Sequence, residues 1–191
     1  MFEWIKTQYQ ASRTNKIIFW FFFLVIVGST PSVIQPNIKS NTQQAITSTP
    51  APNWEYSSDI DTMTGKPIQS AFTISKNKVE LEFPYQGGTY GLIRVRKHPR
   101  FGSDVIFQVN KGQILCGTSS GCSIVVRFDD QKSMKVQANE PSDHGSETLF
   151  LEGFSKLTSL LKKSKVVVIE VTFFKQGNRQ FKFNVDDFKG I

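Results

Sequence analysis

Histidine and cysteine are scarce, with two of each among 191 residues. That scarcity removes most metal and nucleophilic chemistry at the outset. A structural zinc shell needs four ligands, whereas Cys116 and Cys122 supply two thiolates with neither histidine near them in the chain. A catalytic nucleophile needs a base within hydrogen-bond reach, and the histidines stand in polar turns, Lys97-His98-Pro99-Arg100 and Ser142-Asp143-His144-Gly145. Neighbours within one loop cannot form a relay among themselves, so Ser142, Asp143 and His144 read as loop polarity, and no catalytic residue is assigned. Glycoside hydrolysis needs two carboxyls facing one cleft, and no such pair stands out. Asp59-Ile60-Asp61 opens like a calcium loop, but Met63 takes its fifth position and the later glycine and glutamate are misplaced. Thr64-Gly65-Lys66 lacks the upstream glycine of a phosphate loop and runs into Pro67. The expected cofactor and metal complement is therefore none.

Long apolar runs are also rare, and the exception organises the chain. Residues 17–27 read IIFWFFFLVIV, eleven apolar positions preceded by Lys6, Arg13 and Lys16 against Glu3, with Lys39 the first charge after them. The positive-inside rule keeps the amino end in the cytoplasm and sends the remainder across. At ~1.5 Å per residue, that tract covers about half of a ~30 Å hydrocarbon core, so a span borrows its flanks. The expectation is a cytoplasmic tail over 1–16 and a transmembrane helix over 17–34 acting as an anchor. A cleaved signal peptide is the alternative, because a basic region before a short apolar one is its usual form. Residues 35–53 are rich in Ser, Thr, Gln and Asn, with Pro36, Pro50 and Pro52, and read as a disordered linker. Residues 54–191 form one periplasmic domain, and the localisation implied is a single-pass protein of a bacterial inner membrane.

Strong charge of one sign is missing from that domain. Residues 1–53 take four of the 23 basic and one of the 16 acidic side chains, leaving 19 against 15 in the domain. Basic residues are spread through every segment rather than gathered among aromatics, which argues against a nucleic-acid partner. No small-molecule substrate is inferred either.

Helical periodicity is confined to residues 154–163, where Phe154, Leu157, Leu160 and Leu161 make one stripe. The remainder is a series of short alternating runs, over 68–75, 79–83, 89–96, 105–109, 123–128, 134–138, 147–152, 166–174 and 179–185. Each reads as a strand, while residues 57–66 read as a polar turn. Gly87-Gly88, Asn110-Lys111-Gly112, Asp129-Asp130-Gln131 and Gln176-Gly177-Asn178 provide turn chemistry between runs. The fold expected is mainly β, an antiparallel sandwich or barrel-like sheet with one helix in the C-terminal half. Leu92, Arg94 and Arg96 share one face of their strand and Ile93 and Val95 the other. Val126-Arg127-Phe128-Asp129 likewise puts Arg127 and Asp129 together, as candidates for a structural ion pair with a neighbouring strand.

Trp54, Asp61-Thr62-Met63-Thr64, Leu92-Ile93-Arg94-Val95-Arg96, Val126-Arg127-Phe128-Asp129, Ser142-Asp143, Leu149-Phe150, Leu160-Leu161-Lys162-Lys163-Ser164 and Phe181-Lys182-Phe183-Asn184-Val185 follow one another in that order. In this order the motifs resemble the VasI-like periplasmic accessory proteins associated with type VI secretion, and related bacterial and phage envelope proteins. The resemblance covers most of residues 54–188. It implies a β-rich envelope domain and carries over no catalytic residue; the aromatic leader and linker depart from the simple signal peptide such proteins carry. The function expected is a membrane-tethered, non-enzymatic periplasmic interaction module, accessory to a secretion or conjugation apparatus, with the inner membrane and an envelope protein as partners. The alternative is an envelope hydrolase or inhibitor acting on cell wall or lipid.

In an oxidising compartment a lone pair of cysteines six positions apart, with Gly117, Ser119, Ser120 and Gly121 between them, is expected to close into a disulfide. Protein taken unreduced from the periplasm should accordingly refuse a maleimide label at Cys116 and Cys122 and accept two after reduction. Two reactive thiols before reduction would reject both the bond and the topology.

Overall fold

The computed structural model describes residues 52–116 and 121–191. The tail and span expected from sequence, and nearly all of the linker, lie outside them. Among the described residues no helix is long and apolar enough to cross a membrane. Nine strands are present: β1 Glu55–Ile60, β2 Pro67–Ile74, β3 Gly91–His98, β4 Gly102–Val109, β5 Cys122–Phe128, β6 Met134–Asn139, β7 Thr148–Leu151, β8 Val166–Phe173 and β9 Gly177–Asn184. One helix, α1, spans Phe154–Lys163. The fold is thus mainly β with its helix in the C-terminal half. All nine strands belong to a single antiparallel sheet, in the order β1-β2-β3-β4-β7-β6-β5-β8-β9, rather than to two facing sheets.

Alternation explains the core. Ile93 and Val95 on β3, Phe107 on β4, Ile124 and Val126 on β5, Val167, Ile169 and Val171 on β8, and Phe181 and Phe183 on β9 are all buried, as period-two strands with one inward face require. The sheet is curled, since Phe107 and Phe181 lie five strands apart in the order yet their ring centroids are 5.5 Å apart. A short extension of β2 seals the seam. The Lys76 N–H donates to the Lys182 carbonyl at 2.7 Å. Asn77 uses its side chain as a strand would use its backbone, donating to the Gln180 carbonyl at 2.9 Å and accepting from the Lys182 N–H at 2.7 Å. Beyond the seam, β1 takes over where β9 ends. Asn53 bonds Asp186 and Asp187 through its side chain and backbone N–H, and Trp54 packs on Phe188 at 4.4 Å.

Helix α1 follows Gly153, whose φ of 85° places the chain in the left-handed region that glycine tolerates. Leu157 and Leu161 are its buried residues. They face Ile93, Val105, Val126, Phe128, Leu151, Val167 and Ile169 around a void of about 10 Å³, which is about the size of one water. The helix therefore closes one end of the curled sheet and leaves that end filled.

Three expectations are corrected. Residues 79–83 are not a strand: Val79 makes one isolated bridge to Thr89, and Pro84 with Gly87 and Gly88 turns the segment back before a ladder can extend. Asn110-Lys111-Gly112 is not a hairpin turn, because β4 pairs onward with β7; Ile114 instead bridges to Phe173 as the chain crosses towards β5. Residues 55–60, of which 57–60 read from sequence as part of a polar turn, form β1.

Asp129 holds the β5–β6 hairpin in a way that differs from the ion pair with a neighbouring strand expected for Arg127 and Asp129. With φ of 47° it leaves the strand, and its Oδ1 accepts from the Lys165 and Val166 N–H groups at 2.9 and 2.8 Å, while Arg127 stays exposed. The backbone N–H of Val166, then that of Lys165, holds the Asp129 carboxyl below its ordinary range, against partial burial that raises it. Asp129→Ala should cost about 1–2 kcal/mol in denaturant unfolding, from the stranded donors, and Asp129→Asn less, because asparagine accepts the left-handed backbone. The folded pKa is depressed, so this stabilisation is complete above the unfolded carboxylate value and is lost as pH falls through the folded one. The gap between wild type and Asp129→Ala should therefore close in acid.

Candidate functional site

β1 is a strand by backbone pairing alone. All six of its residues are exposed, and they pair with β2 in a register running from Glu55 opposite Phe72 to Ile60 opposite Pro67. Ser57 and Ser70 share a hydrogen bond of 2.8 Å across this ladder. The hairpin projects beyond the packed interior, and beside it the β3–β4 hairpin projects too, its last pair being His98 and Gly102.

The two turns are locked together by one buried carboxylate. Asp61 is 3% exposed. Its Oδ2 accepts from the Thr64 hydroxyl at 2.6 Å and the Thr64 N–H at 3.1 Å, and its carbonyl accepts from Thr64 and Gly65. From the other turn, Arg100 Nη2 reaches Asp61 Oδ1 at 2.7 Å. The Thr64 hydroxyl is the main cause holding the Asp61 carboxyl below its usual range; burial opposes it and Arg100 adds to the lowering. The Arg100 N–H donates to His98 Nδ1 at 3.1 Å, the His98 and Phe101 rings lie 4.5 Å apart, and the guanidinium of Arg100 stands 4.9 Å from the Phe101 ring centre.

This lock holds apolar groups in water. Ile60 is 56% exposed, Met63 75% and Phe101 63%. Exposed side chains on a braced support lose less entropy when they are covered than those on a mobile loop. Along the hairpin, an open groove of about 370 Å³ is lined by Tyr56, Ser57, Ser58, Gln69, Ser70, Gly190 and Ile191. The tail returns over it, with the Lys189 N–H donating to the Tyr56 hydroxyl at 2.7 Å.

The other residues weighed from sequence lie apart from this surface. Cys116 and Cys122 are joined, their Cα atoms 4.9 Å apart, where β5 begins. His144 is in an open loop with its side chain 71% exposed, its Nδ1 3.6 Å from Glu140. Arg96 pairs with Asp104 on the outer sheet face. Arg94 stands 5.9 Å from the Phe72 ring centre, its guanidinium pKa lowered by burial and then by Arg96. Asp61 and Met63 were weighed as parts of a calcium loop, yet both Asp61 oxygens are engaged by Thr64 and Arg100. Sequence reasoning missed β1 itself and the role of Arg100. The only available signal was the pair of acidic and hydroxyl residues, Asp61 and Thr64, three apart beside an unburied isoleucine.

No family model, curated protein or solved structure matches this chain.

Because the apolar tip residues touch solvent, Met63→Ser and Phe101→Ser should move unfolding free energy by under about 0.5 kcal/mol each. Asp61→Asn should instead loosen the tips. Amide protection at Thr64 and Gly65, measured against the intrinsic exchange rate at each pH, should drop in that variant and, in wild type, as pH falls through the depressed Asp61 pKa. Unchanged protection in both cases would show that the lock does not hold the turns.

Proposed function

We propose that this chain is a membrane-tethered, non-enzymatic interaction module of the bacterial envelope. In this reading residues 17–34 are an uncleaved span, residues 35–53 a flexible spacer, and the β-rich domain stands on the periplasmic side as an accessory to a larger assembly such as a secretion or conjugation apparatus. The observation that carries the reading is the pair of hairpin tips, braced through Asp61 and Arg100 yet presenting Ile60, Met63 and Phe101 to solvent. An enzyme concentrates its polar groups where a substrate is enclosed; here the apolar groups project, which suits contact with another surface. A spacer of about 19 residues has a root-mean-square reach of roughly 25 Å. That reach keeps the tips near membrane partners and lifts their effective concentration towards the millimolar range.

Photo-crosslinking residues placed at Met63 and Phe101 in the full chain in cells should give discrete higher-mass adducts, while the same residue at Lys132, on the exposed β5–β6 turn, should give none. Exchanging residues 1–34 for an efficiently cleaved signal peptide should export a folded domain that has lost those adducts. Undiminished adducts from the released domain, or wild-type protein that begins near Thr30 when extracted, would defeat the tethered reading.

A further inference from the structure

We infer that the outer edge of β1 is a docking site for an extended, basic segment of another polypeptide, which joins the sheet as one more antiparallel strand. The inference rests on the interaction reading above and names the chemistry of the partner. The alternation of the β1–β2 ladder fixes which backbone groups are available. The Asp61 N–H donates to the Lys66 carbonyl, so residues 55, 57 and 59 turn their N–H and C=O groups towards β2, while Tyr56, Ser58 and Ile60 turn theirs outward. The Ile60 N–H is covered by Asp59 Oδ1 at 2.7 Å. Tyr56 and Ser58 remain, each with an N–H and a C=O facing outward on the side away from β2.

Edges of this kind are normally guarded by lysine, proline or a covering segment. β1 reads Glu-Tyr-Ser-Ser-Asp-Ile and has neither residue. Its two charges are both negative. Glu55 and Asp59 stand on one face, four positions apart, and among the described residues neither makes an ion pair. The opposite face carries Tyr56 and Ile60, which continue into the exposed apolar tip. An antiparallel strand laid on this edge would meet acid, hydroxyl and acid on one side and aromatic, hydroxyl and aliphatic on the other. The complement has basic residues opposite Glu55 and Asp59 and apolar residues opposite Tyr56 and Ile60, because directly opposed side chains are the contacts that set cross-strand preference. Main-chain bonds would supply affinity and this alternation specificity. Two like-charged β1 strands opposed in a self-pair lack that complement.

The test uses the full chain in detergent micelles and a fluorescent peptide whose centre reads Val-Lys-Ser-Thr-Val-Lys, the antiparallel complement of β1. Saturable binding is expected, weakened at least tenfold when both lysines are glutamate, with amide exchange at Tyr56 and Ser58 slowed at least tenfold on binding. Ser58→Pro should abolish binding and keep the β1–β2 ladder, because the N–H it removes faces away from β2. Should that variant fold poorly, Glu55→Lys provides a second reading by shifting preference towards the glutamate peptide. Equal binding of both peptides, or exchange at Tyr56 and Ser58 unmoved by the peptide, would overturn the inference. Protection of those amides before any peptide is added would do the same, marking an edge taken by the chain itself or, if it rises with protein concentration, by a second copy. Failure here leaves the crosslinks from Met63 and Phe101 standing, and loss of those crosslinks with peptide binding intact would remove the cellular reading alone.

Discussion

Everything in this domain depends on rings meeting across the interior of a curled sheet. Phe107 from β4 lies 5.5 Å from Phe181 and 6.5 Å from Phe183 on β9, and Phe173 adds a contact with Phe181 at 6.2 Å. Such pairs contribute about 0.5–1.5 kcal/mol each beyond the area they bury, and they join strands separated by most of the sheet. Gly91 makes the approach possible. A Cβ there would stand 2.9 Å from Phe181 and 3.0 Å from Phe107, closer than carbon atoms tolerate, so any side chain at this position would push β3 and β9 apart. The polar seam of Lys76, Asn77, Gln180 and Lys182 can then form because the rings have already set the spacing.

The packed interior and the rim of the sheet differ in what they offer to solvent. With helix α1 over one end and aromatic side chains through the middle, the described residues pack the interior of the curled sheet closely, and its backbone meets solvent at the rim. The rim differs from place to place. At β9 the edge is taken by Asn77, whereas at β1 it is acidic, unpaired among the described residues, and followed by a turn held by Asp61 and Arg100. Ile60, Met63 and Phe101 stand exposed at the two braced hairpin turns, while Phe83, Leu115 and Phe174 are exposed on other segments of the domain.

How much of this was legible varies with burial. α1 and the β8–β9 hairpin stood out because Leu157, Leu161, Val167, Ile169 and Phe181 impose a period of 3.6 or of two on the chain, and the structure places them where those periods require. β1 was illegible for the same reason reversed: a strand with both faces in water carries no alternation, and its existence rests on a ladder that only the partner strand reveals. Residues 79–83 misled because Val79 and Leu81 alternate and are indeed buried, but as a segment folded over the sheet rather than as part of it. For Arg127 and Asp129 the face assignment was sound up to Phe128; the positive φ at Asp129 then redirected its carboxylate to the backbone, an outcome that residue types alone do not encode. Arg100 was invisible as a brace because its partner, Asp61, is 39 positions away.

The clasp between Asn53, Trp54, Asp186, Asp187 and Phe188 has a mechanical consequence. Tension applied at Asn53 would reach the domain through two hydrogen bonds and one ring contact before any sheet ladder bears it. Once Trp54 is pulled from Phe188, β1 can peel from β2 one bond at a time, because it buries no side chain whose loss must be met all at once. The interior, closed by Asn77 and the phenylalanines on the far side of that junction, would stay intact. A domain arranged this way yields by a short, reversible lengthening at its entry point, and the strand that lengthens is the one bearing the open edge.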